Sequence, residues 1–212
     1  ILRCLVGSEM CIRDRNIKTV LEKNKLDGID LDFEWAENEK EYKDYSLAIL
    51  KMREVLGDKY LFSVSLHPVC YKISKEAIEA VDFISLQCYG PSPVRFPIEK
   101  YCSDIQMVLE YGIPKEKLVA GVPFYGVTKD NSKKTEAYFN FVQNGLVTSP
   151  AQNEVIYQGD TYVFDGQDNI RIKTRYAKEQ KLKGMMSWDL ATDLPLSDSR
   201  SLLKTMTEEL RE

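Results

Sequence analysis

The stretch DGIDLDFEW, Asp27 to Trp35, constrains the fold more than any other part of the chain. It alternates Ile29, Leu31 and Phe33 with Asp30, Asp32 and Glu34. On a β-strand, residues of one parity share a face. One face is therefore apolar enough to lie under helices, and the other is a row of mutually repelling carboxylates. Asp is also a poor strand former. In an open sheet with helices on both faces, such a row would be buried at high cost. In a closed barrel the second face is the lumen, where acids rising toward the C-terminal strand ends reach a ligand pocket. Two plainer readings compete. The wet face of an antiparallel strand fits the row but not the surrounding pattern. A calcium loop wants Gly at its sixth position, and counting from Asp30 that position is Trp35.

The surrounding pattern is an alternation of strands and helices. NIKTVLEKNKL reads as the end of a helix. After the acidic strand, EYKDYSLAILKMREVLG is an amphipathic helix with Tyr45, Ile49, Met52 and Leu56 on one face and Gly57 as its stop. YLFSVSLHP is a strand, SKEAIEAV a short helix and DFISLQCYG a strand. IEKYCSDIQMVLEYG is a helix carrying Ile98, Tyr101, Ile105 and Val108, closed at Gly112, and KLVAGVPFYG is a strand. Residues 127–167 are less regular, with a short helix AYFNFVQNG and a hairpin EVIYQGDTYVF turning at Gly159-Asp160. Helix DNIRIKTRYAKEQKL, strand GMMSWDL and helix SDSRSLLKTMTEEL follow. Five strands alternating with helices argue for a parallel sheet covered by helices, in one domain.

Composition narrows the function classes. The net charge of −4 has no basic block, which argues against nucleic acid as a partner. No apolar run approaches the roughly 18 residues a membrane span needs. The five cysteines are odd in number and lack metal-ligand spacing. They read as free thiols, with a Cys70–Cys102 or Cys88–Cys102 bridge left open. The first fifteen residues, ILRCLVGSEMCIRDR, have no clear period and no secretory-signal pattern, and read as an artefactual or disordered leader. The domain is then 16–212.

The acidic row has an electrostatic consequence. Three acids in a partly dry lumen cannot all ionise cheaply, so proton sharing raises at least one pKa. An acid still protonated near neutral pH can donate to a leaving group, as cleavage of a glycosidic bond requires.

DGIDLDFEW also resembles the Asp-x-x-Asp-x-Asp-x-Glu signature of glycoside hydrolase family 18, the chitinase family, with Asp27, Asp30, Asp32 and Glu34 at its acidic positions. DFISLQCYG looks like the family's sixth strand, KLVAGVPFYG like its seventh, and IRIKTRYAKEQKLKGMMSWDL like its last helix and eighth strand. The likeness covers about residues 16 to 193. It implies an α/β fold, a partial (β/α)8 TIM barrel holding strands four to eight with their helices. It also implies hydrolysis of β-1,4 bonds after N-acetylglucosamine, by a retaining, substrate-assisted mechanism without metal or organic cofactor. By resemblance Glu34 is the general acid and later the base for water. Asp32 orients the acetamido group, Asp30 shares a proton with Asp32, and Tyr89 hydrogen-bonds the acetamido oxygen. Trp188 is the hydrophobic floor under the sugar. Read from their places on the strands, Gln87 lines the pocket beside Tyr89 or is a satisfied core amide, Tyr125 closes the seventh strand and touches sugar or only packs there, and Asp27 supports the start of the strand. His67 reads as a rim or structural residue.

The sequence departs from the family in three ways. Gly90 and Val127 stand where the family often has Asp and Arg, which weakens the case for long chitin chains and leaves room for glycoprotein glycans or peptidoglycan sugars. The segment between the seventh and eighth strands is short for the α+β insertion of some chitinases. Three strands have no room before Asp27, so the sequence resembles a C-terminal piece, with strands four and eight as edges, expected to fold poorly or be inactive alone. The expected partner is an N-acetylglucosamine-containing oligo- or polysaccharide, with no obligate protein partner. The expected site of action is extracellular or on the cell surface, any signal peptide lying upstream. The alternatives are an endo-β-N-acetylglucosaminidase, a peptidoglycan-sugar hydrolase and a sugar-binding lectin on the same barrel.

Overall fold

The computed structural model describes residues 8–211, with side chains from residue 16 onward. Of the expected leader, residues 1–7 lie outside the described residues, and residues 8–15 are the opening turns of helix α1, Ser8–Asn24. The chain continues through β1 Gly28–Asp32, α2 Glu39–Leu56, β2 Leu61–Leu66, α3 Lys75–Ala80, β3 Phe83–Leu86, α4 Ile98–Tyr111 and β4 Leu118–Pro123. An insertion follows: β5 Tyr125–Thr128, β6 Thr135–Ala137, α5 Tyr138–Gln143, β7 Glu154–Tyr157 and β8 Asp160–Val163. Helix α6 Gln167–Glu179, strand β9 Gly184–Trp188 and helix α7 Leu202–Arg211 complete it.

Strands β1, β2, β3, β4 and β9 pair in that order, all parallel, and are the expected strands four to eight of a barrel. The register separates the two faces. Leu31, Val64, Ile84 and Leu118 lie side by side on the outer face, under the helices. Asp32, Ser65, Ser85, Val119 and Gly184 form a row on the inner face. The helices bury the stripes read from the sequence: Tyr45, Ile49, Met52 and Leu56 of α2, and Tyr101, Ile105 and Val108 of α4, whereas Ile98 is only half-buried. Each such side chain contributes roughly 1.5–3 kcal/mol of hydrophobic stabilisation. The ends are fixed locally. Asn38 caps α2 by accepting the Glu41 N–H, and Gly57 and Gly112 close α2 and α4 at positive φ.

Three expectations need correction. The stretch after β4 is an α+β insertion: β6, β5, β8 and β7 form a four-stranded antiparallel sheet in that order. Its core is the Phe141 ring of α5, packed 5.4 to 5.8 Å from Tyr157, Tyr162 and Phe164. The segment KLVAGVPFYG is therefore two strands, because the chain leaves the parallel sheet at Pro123 and Tyr125 opens β5. The hairpin turns at Gln158-Gly159, one residue earlier than expected, with both residues at positive φ and Tyr157 paired to Asp160.

The sheet does not close among the described residues; β1 and β9 each have one neighbour. Asp30, Asp32 and Glu34 are consequently exposed, and the partly dry lumen expected around them is open on the β1 side. Cys70, Cys88 and Cys102 are free thiols, so neither considered bridge forms. No helix among the described residues is long and apolar enough to cross a membrane.

Candidate active site

The parallel strands end at one side of the sheet, and their following residues surround a cavity of about 480 Å³. Strand β1 stops at Asp32, so Glu34 and Trp35 begin the loop to α2. Gln87 and Tyr89 follow β3, Tyr125 opens β5, and Trp188 ends β9. Asp32, Glu34, Gln87, Tyr89, Tyr125 and Trp188 all line this one cavity. Side chains separated by up to 156 positions in the sequence are thereby brought together. The peptide bonds Glu34–Trp35 and Trp188–Asp189 are cis.

Asp30 lies one layer below. Its two carboxylate oxygens accept hydrogen bonds from Ser63 Oγ at 2.5 Å and Ser65 Oγ at 2.8 Å, both on β2. Those hydroxyls satisfy the charge that made the acidic row expensive. No hydrogen bond joins Asp30 to Asp32 among the described residues, so the shared proton implied by the resemblance is not held in this conformation. Asp30 acts on Asp32 through its charge. The Asp32 carboxyl is raised above its ordinary value, first by partial loss of water, then by the charges of Glu34 and Asp30. A hydrogen bond from Gln87 Nε2 at 3.2 Å pulls the other way. Replacing Glu34 with Gln removes the larger of the two charge effects and is expected to bring the Asp32 titration down toward 3.8, read by carboxyl-carbon NMR. An unchanged or raised Asp32 titration would refute that electrostatic coupling.

Tyr89 is a buried ring whose phenol is pushed up by burial, then by Tyr125, Asp32 and Glu34. It stays protonated and can donate. Its hydroxyl rests 3.6 Å from the Met186 sulfur, a weak acceptor that a ligand oxygen would displace. Tyr125 meets Tyr89 edge-to-face at 6.4 Å. Trp188 is 56% exposed, leaving its indole face open to a ligand. Asp27 is exposed, and its backbone carbonyl accepts the Leu61 N–H at the foot of β1. Gly90 lines the cavity, whereas Val127 is buried inside the insertion and is not a lining residue.

Gly121 on β4 makes room for Tyr89. A Cβ there would lie 2.8 Å from the Leu86 carbonyl oxygen, 2.9 Å from Tyr89 Cε1 and 3.0 Å from Met186 Cε. The backbone oxygen cannot retreat easily, so Gly121→Ala is expected to displace the Tyr89 ring and cost roughly 1–3 kcal/mol of stability. Thermal unfolding, with the Tyr89 ring followed by NMR, checks this, and an equally stable variant with the ring unmoved would refute it.

Several lining residues were missed in the sequence: Trp35, Arg95 and Lys133. Lys133 comes from the loop between β5 and β6, so the insertion supplies one wall. Nothing local marks Lys133 or Arg95. Ser63, Ser65 and His67 had a signal, because they repeat every second position in FSVSLHP with the same alternation as the acids.

The family model of "Glycosyl hydrolases family 18" matches residues 15–193. The chain belongs to glycosyl hydrolase family 18. Among the proteins it is similar to, "Probable chitinase 2" of Drosophila melanogaster is 24% identical, over 86% of this chain and 51% of the relative. The GH18 chitinase ChiB of Flavobacterium johnsoniae is 28% identical with a TM-score of 0.75, covering 92% of this chain and 64% of that one. A chitinase-like agglutinin from Robinia pseudoacacia shares the fold at a TM-score of 0.79 and 18% identity, covering 97% of this chain and 74% of that one. The chain spans about half the length of the first curated relative it matches.

Proposed function

We propose that this family 18 chain carries the catalytic acid side of a glycosidase that cleaves β-1,4 bonds after N-acetylglucosamine. The observation carrying the reading is the convergence of Glu34, Asp32, Tyr89 and Trp188 on one cavity. Each has the chemistry its role requires. Glu34 protonates the glycosidic oxygen as the bond to the anomeric carbon breaks. The acetamido oxygen of the same sugar forms the new bond to that carbon, giving an oxazolinium ion, so no protein nucleophile is consumed. Asp32 orients the acetamido group and balances the oxazolinium charge, Asp30 and Gln87 tune Asp32, and Tyr89 O–H donates to the acetamido oxygen. Trp188 packs on the sugar's C–H face, Tyr125 borders the same sugar, and Asp27 steadies the foot of β1. Glu34 then takes a proton from the water that opens the oxazolinium, returning the β-configuration. No metal or organic cofactor enters these steps. We place the reaction outside the cell or on its surface, in line with the sugar polymer proposed as substrate.

Incubation of the full-length protein with chitotetraose, with the product anomer followed by NMR, tests the proposal. The β-anomer is expected first. Cleavage of a high-mannose glycopeptide in place of chitotetraose would make the protein an endo-β-N-acetylglucosaminidase, and release of the α-anomer would refute substrate assistance. A second reading is favoured by the agglutinin that shares this fold. Binding of chitotetraose without cleavage would establish that lectin reading. The presence of Glu34 supports the enzyme.

A further inference from the structure

Glu34 is weakly held by its own contacts. Its strand ends at Asp32, and no hydrogen bond to its carboxylate occurs among the described residues. The backbone just after it is gripped by the turn that follows β2. The Trp35 ring meets the His67 imidazole edge-on, with centroids 4.7 Å apart and planes at 76°. The Ala36 N–H donates to Cys70 Sγ at 3.0 Å. His67 and Cys70 close their own turn by two backbone bonds, Cys70 N–H to the His67 carbonyl at 2.7 Å and His67 N–H to the Cys70 carbonyl at 3.4 Å. Tyr42 of α2 braces the turn from outside by donating to the Val69 carbonyl at 3.4 Å. Across the cavity, His67 Nε2–H donates to the Tyr89 carbonyl at 3.0 Å.

We propose that the His67–Cys70 turn is a bracket that fixes the spacing between Glu34 and Tyr89. This rests on the proposed glycosidase reading. Both residues are positioning residues. His67 is 8% exposed and lines the cavity, yet its two ring nitrogens are already used. Nε2 serves Tyr89, and Nδ1 accepts the Val69 N–H at 3.3 Å, which fixes the neutral tautomer. No ring nitrogen remains for a sugar. What His67 offers is a rigid link between the loop after β1 and the loop after β3. A misplacement of about 1 Å between acid and acetamido donor costs on the order of 10²-fold in rate.

The bracket needs His67 neutral. Burial first, then the Arg95 charge and more weakly Lys100, push its titration down to about 4, against the Tyr89 carbonyl and Asp104, which favour the charged form. Cys70, also in this turn, is raised by burial and stays a neutral acceptor. A depressed histidine contributes its stabilisation above about 6.5 and loses it as pH falls through about 4.

The chain has two tryptophans, so Trp188→Phe leaves Trp35 as its single indole. An imidazolium against an indole quenches its emission. In W188F the quenching transition is expected near pH 4 with far-UV circular dichroism unchanged, and it should vanish in W188F/H67F, where the ring is kept and both nitrogens are lost. A transition near 6.5, or one that survives His67→Phe, overturns the bracket. In the full-length protein on chitotetraose, H67F and C70A are expected to lower kcat at least about tenfold with KM within about twofold, and H67Q, whose amide can reach the Tyr89 carbonyl, is expected to recover part of it. A raised KM with unchanged kcat would also overturn it. Should the full-length protein cleave nothing, the glycosidase reading fails separately, and the Trp35 transition alone decides the bracket.

Discussion

In the full-length protein, replacing Glu34 with Gln is expected to lower kcat on chitotetraose by about 10²–10⁴-fold while leaving the oligosaccharide bound. The amide has the shape of the acid and no transferable proton of useful acidity. The groups proposed to hold the sugar, Trp188, Tyr89 and Asp32, lie on other residues of the same cavity and are untouched. The effect should therefore fall on kcat, with KM within a few-fold of its original value. Glu34 is exposed because β1 is an edge of the sheet. Any further strand that covers β1 would dry the site and strengthen every charge interaction in it. Comparable turnover by E34Q would mean that the acid is elsewhere, and joint loss of binding would mean that Glu34 anchors the ligand.

Removing the carboxylate of Asp165 is expected to have the largest effect on stability. Lys173 Nζ of α6 donates to Asp165 Oδ2 at 2.6 Å, and both side chains are 0% exposed. Asn169 Nδ2 satisfies the other carboxylate oxygen at 3.2 Å, and the Lys173 ammonium lies 5.4 Å from the Tyr101 ring centroid and 6.0 Å from that of Phe96. The pair ties the end of the insertion to the helices behind the parallel sheet. Asp165→Ala leaves the ammonium buried and uncompensated, at a cost of about 3–5 kcal/mol. For a chain of this size that corresponds to a fall in Tm of about 6–20 °C. Replacing both partners, Asp165→Leu with Lys173→Met, is expected to recover most of the loss, since an apolar pair of similar volume avoids the desolvation cost. Thermal melts of the single and double variants measure this. A loss below about 1 kcal/mol in D165A would show that Lys173 finds another partner.

The parts of the fold that were legible in the sequence are those set by local periodicity. The alternation in DGIDLDFEW assigns Asp30 and Asp32 to one face whatever lies beside the strand, and β2 confirms the phase by presenting Ser63 and Ser65 to Asp30. The stripes of α2 and α4 were legible for the same reason. Strand ends were less so. The acidic pattern continues in sequence to Trp35, yet pairing with β2 ends at Asp32, so Glu34 stands on a loop. In the sequence the insertion shows only as a hairpin and a short helix. Its strands are three or four residues long, and β5 lies far in sequence from its partner β8. Pairing over such a distance leaves no periodic trace at either strand.

The sequence by itself determined which residues could carry chemistry: an acid row in one phase, aromatic residues at strand ends, and a motif shared with family 18. Those are properties of residue type and spacing. Only the tertiary structure decided which of them meet. It paired Asp30 with two serines rather than with Asp32, seated His67 between Trp35 and Tyr89, and brought Lys133 of the insertion to the cavity. Contacts across strands depend on register and loop path, and these are fixed by the packing of the whole sheet against its helices.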